Sequence, residues 1–143
     1  MAYSDEALRK GIIAELVAQQ HWLSEGYHIL TPITNDTKFD FVAYKDGDFV
    51  RVQVKCAVLS RYTSGCPSLW RARNKRGQNA DYELDDYDIL HVVRVLDNTQ
   101  WVIPHDVVEG MQTVTLCRED GENLRANTKA PDMEPYKVTK EKE

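Results

Sequence analysis

From residue 49 to residue 80 the sequence holds no acidic side chain, although acids outnumber bases 23 to 18 over its 143 residues and the formal net charge is −5. The gap leaves Arg51, Lys55, Arg61, Arg71, Arg73, Lys75 and Arg76 unopposed, a block of +7 set between blocks of −4 (residues 1–48) and −8 (residues 81–143). A polyanion meets the local field rather than the net charge, so this block keeps nucleic acid open as a partner. Other shortages exclude more. No apolar run approaches the roughly 20 residues needed to cross a bilayer. The start, Met1-Ala2-Tyr3-Ser4-Asp5-Glu6, lacks the basic-then-apolar order of a secretory leader. Cysteine is scarce: Cys56, Cys66 and Cys117 are odd in number and show no CxxC spacing. They cannot form a complete disulfide framework, argue against structural zinc, and fit a reducing, cytoplasmic compartment. With 42% apolar and 29% charged residues the chain reads as globular, and its length suits one domain.

Residues 4–25 read as a helix, with Ser4 as N-cap, Asp5 and Glu6 in the first turn, and Gly26 as a left-handed stop. Leu8, Ile12, Leu16, Gln19 and Leu23 recur at helical spacing, and Ile13 and Val17 widen what is expected to be the core-facing stripe. Gly11 interrupts this helix at a cost of about 1 kcal/mol relative to alanine. A short strand is expected at 27–31, and two stronger ones at 39–44 and 49–58, joined by Lys45-Asp46-Gly47-Asp48, a strong hairpin signal. Residues 59–81 have no sustained period and are expected to make a long basic loop or irregular hairpin. Strands follow at 88–96, 101–104 and 113–117, with a short helix near 104–106. The core is expected to occupy residues 1–118, and 119–143 to form a polar, loosely held tail.

Hairpin register yields the sharpest chemical inference. A turn at Asp46-Gly47 opposes residues whose numbers sum to 93, which sets Asp40 across from Gln53. Gln53 and Lys55 then share a face with Asp40, while Val50, Val52 and Val54 point to the core. On the first helix, Glu15 falls within the apolar stripe, where a carboxylate is costly unless it is paired or binds metal. Two carboxylates, one amide and one lysine suit Mg²⁺ held by hard oxygens, with Lys55 beside it to position water or offset charge on phosphate. A salt bridge from Glu15 to a base is the plain alternative. So is a merely solvated loop over Arg71–Arg76, with Tyr62 and Trp70 packing it to the sheet. Asp86 and Asp88 are expected to cap the following strand or to pair with bases.

The order Lys10-Gly11-xxx-Glu15, Phe39-Asp40, Gln53-Val54-Lys55, Asp86-Tyr87-Asp88 and Trp101-Val102-Ile103-Pro104 resembles the PD-(D/E)xK nuclease superfamily. The likeness is closest to the small phage and cyanobacterial intron-type homing endonucleases, with archaeal junction resolvases as wider relatives. It covers roughly residues 10–105. It implies an α/β (α+β), restriction-endonuclease-like fold with a mixed central sheet flanked by helices, and Mg²⁺-dependent endonuclease activity with Mn²⁺ able to substitute. The resemblance further implies site-specific double-strand cleavage of DNA by a homodimer or homotetramer, in the cytoplasm of a bacterial or phage-infected cell, with no nucleotide cofactor. Branched-DNA cleavage and an inactive DNA-binding module of the same fold are the alternatives. Carried over residue by residue, Asp40 is the principal metal ligand, Gln53 fills the second acidic position, Lys55 is the catalytic lysine, and Glu15 is the helical acid and a third ligand. Phe39 replaces the proline of the superfamily name, and Gln53 the usual acid, which removes one negative charge from the site. DNA contacts are expected from Lys10, Arg51, Arg61, Tyr62, Arg71, Arg73, Asn74, Lys75, Arg76 and Gln78, with Arg73, Asn74, Arg76 and Gln78 able to bond base edges.

Overall fold

The structure, a computed structural model, describes residues 5–60, 68–76, 80–81, 86–119 and 131–139. Helix α1 (Asp5–Ser24) is followed by β1 (His28–Leu30), β2 (Phe41–Lys45), β3 (Asp48–Cys56), β4 (Val58–Ser60), β5 (Leu69–Arg73), β6 (Lys75–Arg76) and β7 (Ala80–Asp81). Then come β8 (Ile89–Arg94), β9 (Thr99–Pro104), helix α2 (His105–Val108), β10 (Thr113–Arg118) and a 3₁₀ turn at Glu134–Tyr136. The central sheet runs β1-β2-β3-β8-β9 and is mixed, because β3 and β8 are parallel while the other neighbours are antiparallel. A second sheet, β10-β5-β4, and the short β6-β7 pair come largely from the segment expected to be irregular.

The hairpin folds as the Asp-Gly pair requires. Asp46 and Gly47 both take positive φ (52° and 88°), and β2 pairs with β3 from Lys45–Asp48 to Phe41–Val52, a constant sum of 93. Gly26 stops α1 at φ 91°.

Two cores result. One lies between α1 and the central sheet and holds Ala14, Ala18, Trp22, Phe41, Ala43, Val52, Val54 and Val93. The other lies on the opposite sheet face, under β5 and β10, and is built around Tyr87, Leu90, Val92, Trp101, Ile103, Val114, Leu116 and Met133.

Two expectations are corrected here. The Leu8/Ile12/Leu16/Leu23 stripe does not face the core: those residues and Ile13 are 42–59% exposed, and α1 packs inward through Ala14, Ala18 and Trp22. The sheet lies close under the helix, and small side chains permit that approach where leucines would not. The tail is also not loose throughout. Over 131–139 it is tied down by fully buried Met133, by a bridge of Lys137 to Trp101, and by a 2.8 Å bond from the Val138 N–H to the Gln100 carbonyl.

Candidate active site

Asp40 stands at the fork where β2 leaves β3. The ladder ends at the Phe41–Val52 pair, and beyond it the Asp40 N–H bonds the Val52 carbonyl at 2.8 Å while its Oδ2 accepts the Val54 N–H at 2.7 Å. The carboxylate thus replaces a rung of the sheet and is fixed by backbone. This differs from simple opposition to Gln53: the hook to Val54 draws Asp40 toward the helix side, where it lines a cleft of about 360 Å³ with Ala7, Leu8, Gly11, Ile12, Glu15 and Val54. Glu15 therefore meets Asp40 from α1, at the border between the buried alanine face and the outward aliphatic face.

The charges of the cleft act on one another. Burial raises the Glu15 pKa, and the nearby Asp40 charge raises it further. Burial also raises that of Asp40, against the pull of the Val54 N–H and of Lys55. Lys55 is lowered by burial, with Asp40 opposing that shift and Arg73 adding to it. Asp40 is thus coupled to Glu15 on one side and to Lys55 on the other. By strand alternation Gln53 and Lys55 project from the face opposite Val52 and Val54, away from α1. Gln53 is 7% exposed, and its amide nitrogen stands 3.5 Å from the Val54 carbonyl oxygen, the outer limit of a hydrogen bond.

Among the described residues no group of three or more His, Cys, Asp or Glu side chains is gathered as a metal cluster. A magnesium site does not demand one, since this ion is held by one or two carboxylates and keeps several waters. Asp40 and Glu15 fit that requirement: the Asp40 charge raises the proton affinity of Glu15 across an open cleft, a repulsion that a divalent cation would relieve.

The surroundings of the cleft are held by two acids, Asp86 and Asp88, in the salt bridges to basic residues that the sequence offered as one of their roles. Asp86, buried, pairs with Lys38 at 3.0 Å and so anchors the loop that delivers Asp40. Asp88 grips Arg51 through its Nε (3.1 Å), its Nη2 (3.0 Å) and its backbone N–H (2.8 Å). Arg51, expected on DNA, is thus a strand-to-strand tie, although its side chain remains partly exposed. Asn74 departs further from expectation. It is 3% exposed, donates to the Val108 carbonyl (3.0 Å) and accepts from Tyr87 Oη (2.6 Å), so it closes a core and reads no base. Lys10 is on the exposed side of α1, paired with Glu6 at 3.2 Å. Arg71 and Arg73 line a groove of about 410 Å³ with Val58, Ser60, Ala72, Gln112 and Thr113, and the charge of Arg73 reaches Lys55. Lys75 and Arg76 make up β6, while Arg61, Tyr62 and Gln78 lie outside the described residues. Sequence reasoning missed Gln112 and Ser60 in this groove. No charge or period marks them, and only the pairing of β5 with β4 and β10 brings them there.

A helix that brings Glu15 to a cleft, packed on a mixed sheet whose forked hairpin holds Asp40 and Lys55, is an arrangement that comparison with known proteins identifies. The profile of the PD-(D/E)XK endonuclease family matches residues 6–139. The chain belongs to the PD-(D/E)XK endonuclease family. Protein 5.3 of Escherichia phage T7 is 30% identical over 110 residues, covering 77% of this chain and 90% of its own. The solved structure of a bacterial homing endonuclease, I-Ssp6803I, superposes with a TM-score of 0.74 over 94% of this chain and 89% of its own, at 22% identity. That likeness is one of fold.

Proposed function

We propose that this protein is a divalent-metal-dependent DNA endonuclease of homing type, with Asp40, Glu15, Gln53 and Lys55 as its site. The observation that carries the reading is the coupling of Asp40, fixed at the fork, to Glu15 in the α1 cleft and to Lys55 on the adjoining strand. Asp40 and Glu15 would hold Mg²⁺, or Mn²⁺ in its place, with water filling the remaining positions, since Gln53 lies on the other face of β3. The metal, when bound, supplies Lewis-acid activation of water and of a phosphodiester. Lys55, its proton affinity lowered by burial, offers Nζ to orient the attacking water and to offset charge gathering on the phosphate. Arg73 and Arg71 extend that positive field along the groove of the second sheet and suit the DNA backbone. The structural likeness to a homing endonuclease supports double-strand cleavage over other outcomes. One site cuts one strand, so the reading includes a second copy. We place it on the outward aliphatic side of α1, where Ile13, Leu16 and Leu23 are 42–59% exposed and lie outside the cleft that Leu8 and Ile12 line.

Incubation of linear, supercoiled and branched DNA with Mg²⁺ or Mn²⁺ tests the reading. Wild type should cut duplex, Asp40→Asn should lose cutting while keeping the fold, because asparagine still accepts from the Val54 N–H, and Lys55→Ala should fall at least ~100-fold. Absence of cleavage in any metal by wild type, with duplex still bound, would favour the second reading, a binding module that Gln53 has left without enough charge to hold the ion.

A further inference from the structure

Gly11 sits in the middle of the first half of α1, one turn after Ala7 and one turn before Glu15. Glycine weakens a helix relative to alanine, so its use there calls for a reason. The usual internal reasons fail. Gly11 is not among the glycines with positive φ, which are Gly26, Gly47 and Gly110. A Cβ built on it would meet no atom within 4 Å among the described residues, so none of them presses on it. What it borders is the cleft, with Ala7, Leu8, Ile12, Glu15, Asp40 and Val54. Spacing by four sets Ala7, Gly11 and Glu15 along one line of the helix, so the roof of the cleft carries a methyl, then bare backbone, then a carboxylate.

We propose that Gly11 is a clearance residue for the substrate: the sugar–phosphate backbone of the cleaved strand passes under α1 against the Gly11 Cα. This rests on the nuclease reading and extends it by naming where the strand runs. Four residues separate Gly11 from Glu15, about 6 Å of helix rise against roughly 3.4 Å per nucleotide, so the contact falls about two nucleotides from the scissile bond. Leu8 and Ile12 flank this stretch of the cleft with apolar walls, which suit the C–H faces of deoxyribose better than a free anion. The role is one of fit: Gly11 touches the strand and carries no reacting atom.

Gly11→Ala and Gly11→Leu, assayed on duplex DNA and on a nitrophenyl phosphodiester too short to reach Gly11, test the proposal. Gly11→Ala should raise the thermal midpoint by about 3 °C, as removal of a helical glycine does. The same change should raise KM for duplex about 10-fold with kcat little altered, and Gly11→Leu should abolish duplex cleavage. Both variants should hydrolyse the small diester at the wild-type rate and bind Mn²⁺ as wild type does. Duplex cleavage by Gly11→Leu with wild-type KM would overturn the proposal, as would equal loss on the small diester. A wild-type protein that neither cuts nor binds DNA removes the nuclease reading itself, and the strand path with it, a result distinct from an active wild type indifferent to Gly11.

Discussion

His91 is fully buried between α1 and β9, and its hydrogen bonds settle its protonation. Trp22 Nε1–H can only donate, so His91 Nδ1 accepts it at 3.0 Å, and the remaining proton on Nε2 is donated to Gln100 Oε1 at 2.7 Å. Burial, opposed by the Gln100 bond and reinforced by His21, lowers its pKa to about 4. The native state therefore takes up this proton later than the unfolded chain, whose histidine titrates near 6.5. The stabilisation is present in full above about pH 6.5 and is lost progressively as pH falls toward 4, by roughly 3 kcal/mol in total. Urea midpoints at pH 7.5 and 4.5 should show this drop in wild type and a much smaller one in His91→Gln, which can keep one acceptor and one donor. At this scale the hairpin register was legible in sequence. The register that made Asp40, Gln53 and Lys55 candidates follows from Asp46-Gly47 and holds from Lys45–Asp48 to Phe41–Val52, but Asp40 itself leaves that ladder to accept the Val54 N–H, which no local signal foretells. Nor was the burial of Asn74 legible, because the partners that turn it inward, Tyr87 and Val108, lie 13 and 34 residues away and carry no local mark.

Helix α1 inverts the usual rule of amphipathic helices. Its apolar period is real, but the large members point outward and the alanines inward. Period reveals that a helix has an apolar side; it does not reveal which of two sides a closely packed sheet will accept. Leu16→Glu should test the outward side directly. Light scattering should show wild type as a dimer or tetramer and the variant as a monomer, with folding stability changed by no more than about 0.5 kcal/mol. The monomer should still nick DNA while losing double-strand breaks. Ala18→Leu provides the opposite control: it forces bulk into the α1–sheet contact and should cost about 1–3 kcal/mol. Strands β4 and β5 were hidden for a related reason. Their pairing with each other and with β10 is long-range, and the Ser, Gly and Arg content of the segment advertises a loop.

Over the whole molecule, the acid-free block becomes two neighbouring features: strand β3 with Gln53 and Lys55, and strand β5 with Arg71 and Arg73. If the latter two contact phosphates, replacing both with glutamine should reduce the slope of log affinity against log salt by about 2, read from DNA binding between 50 and 200 mM salt. Cutting rate at saturating DNA should change less than affinity does.

The docking of residues 131–139 has a consequence in time. Met133 completes the core under β10, and Val138 bonds the outer edge of β9, so the central sheet keeps an open edge and its second core a cavity until this stretch has left the ribosome. A chain still being made can bury α1 against the hairpin early but cannot finish its second core. Folding to competence therefore waits on residues 131–139, and a chain that stops short of them cannot assemble the complete fold around its cleft.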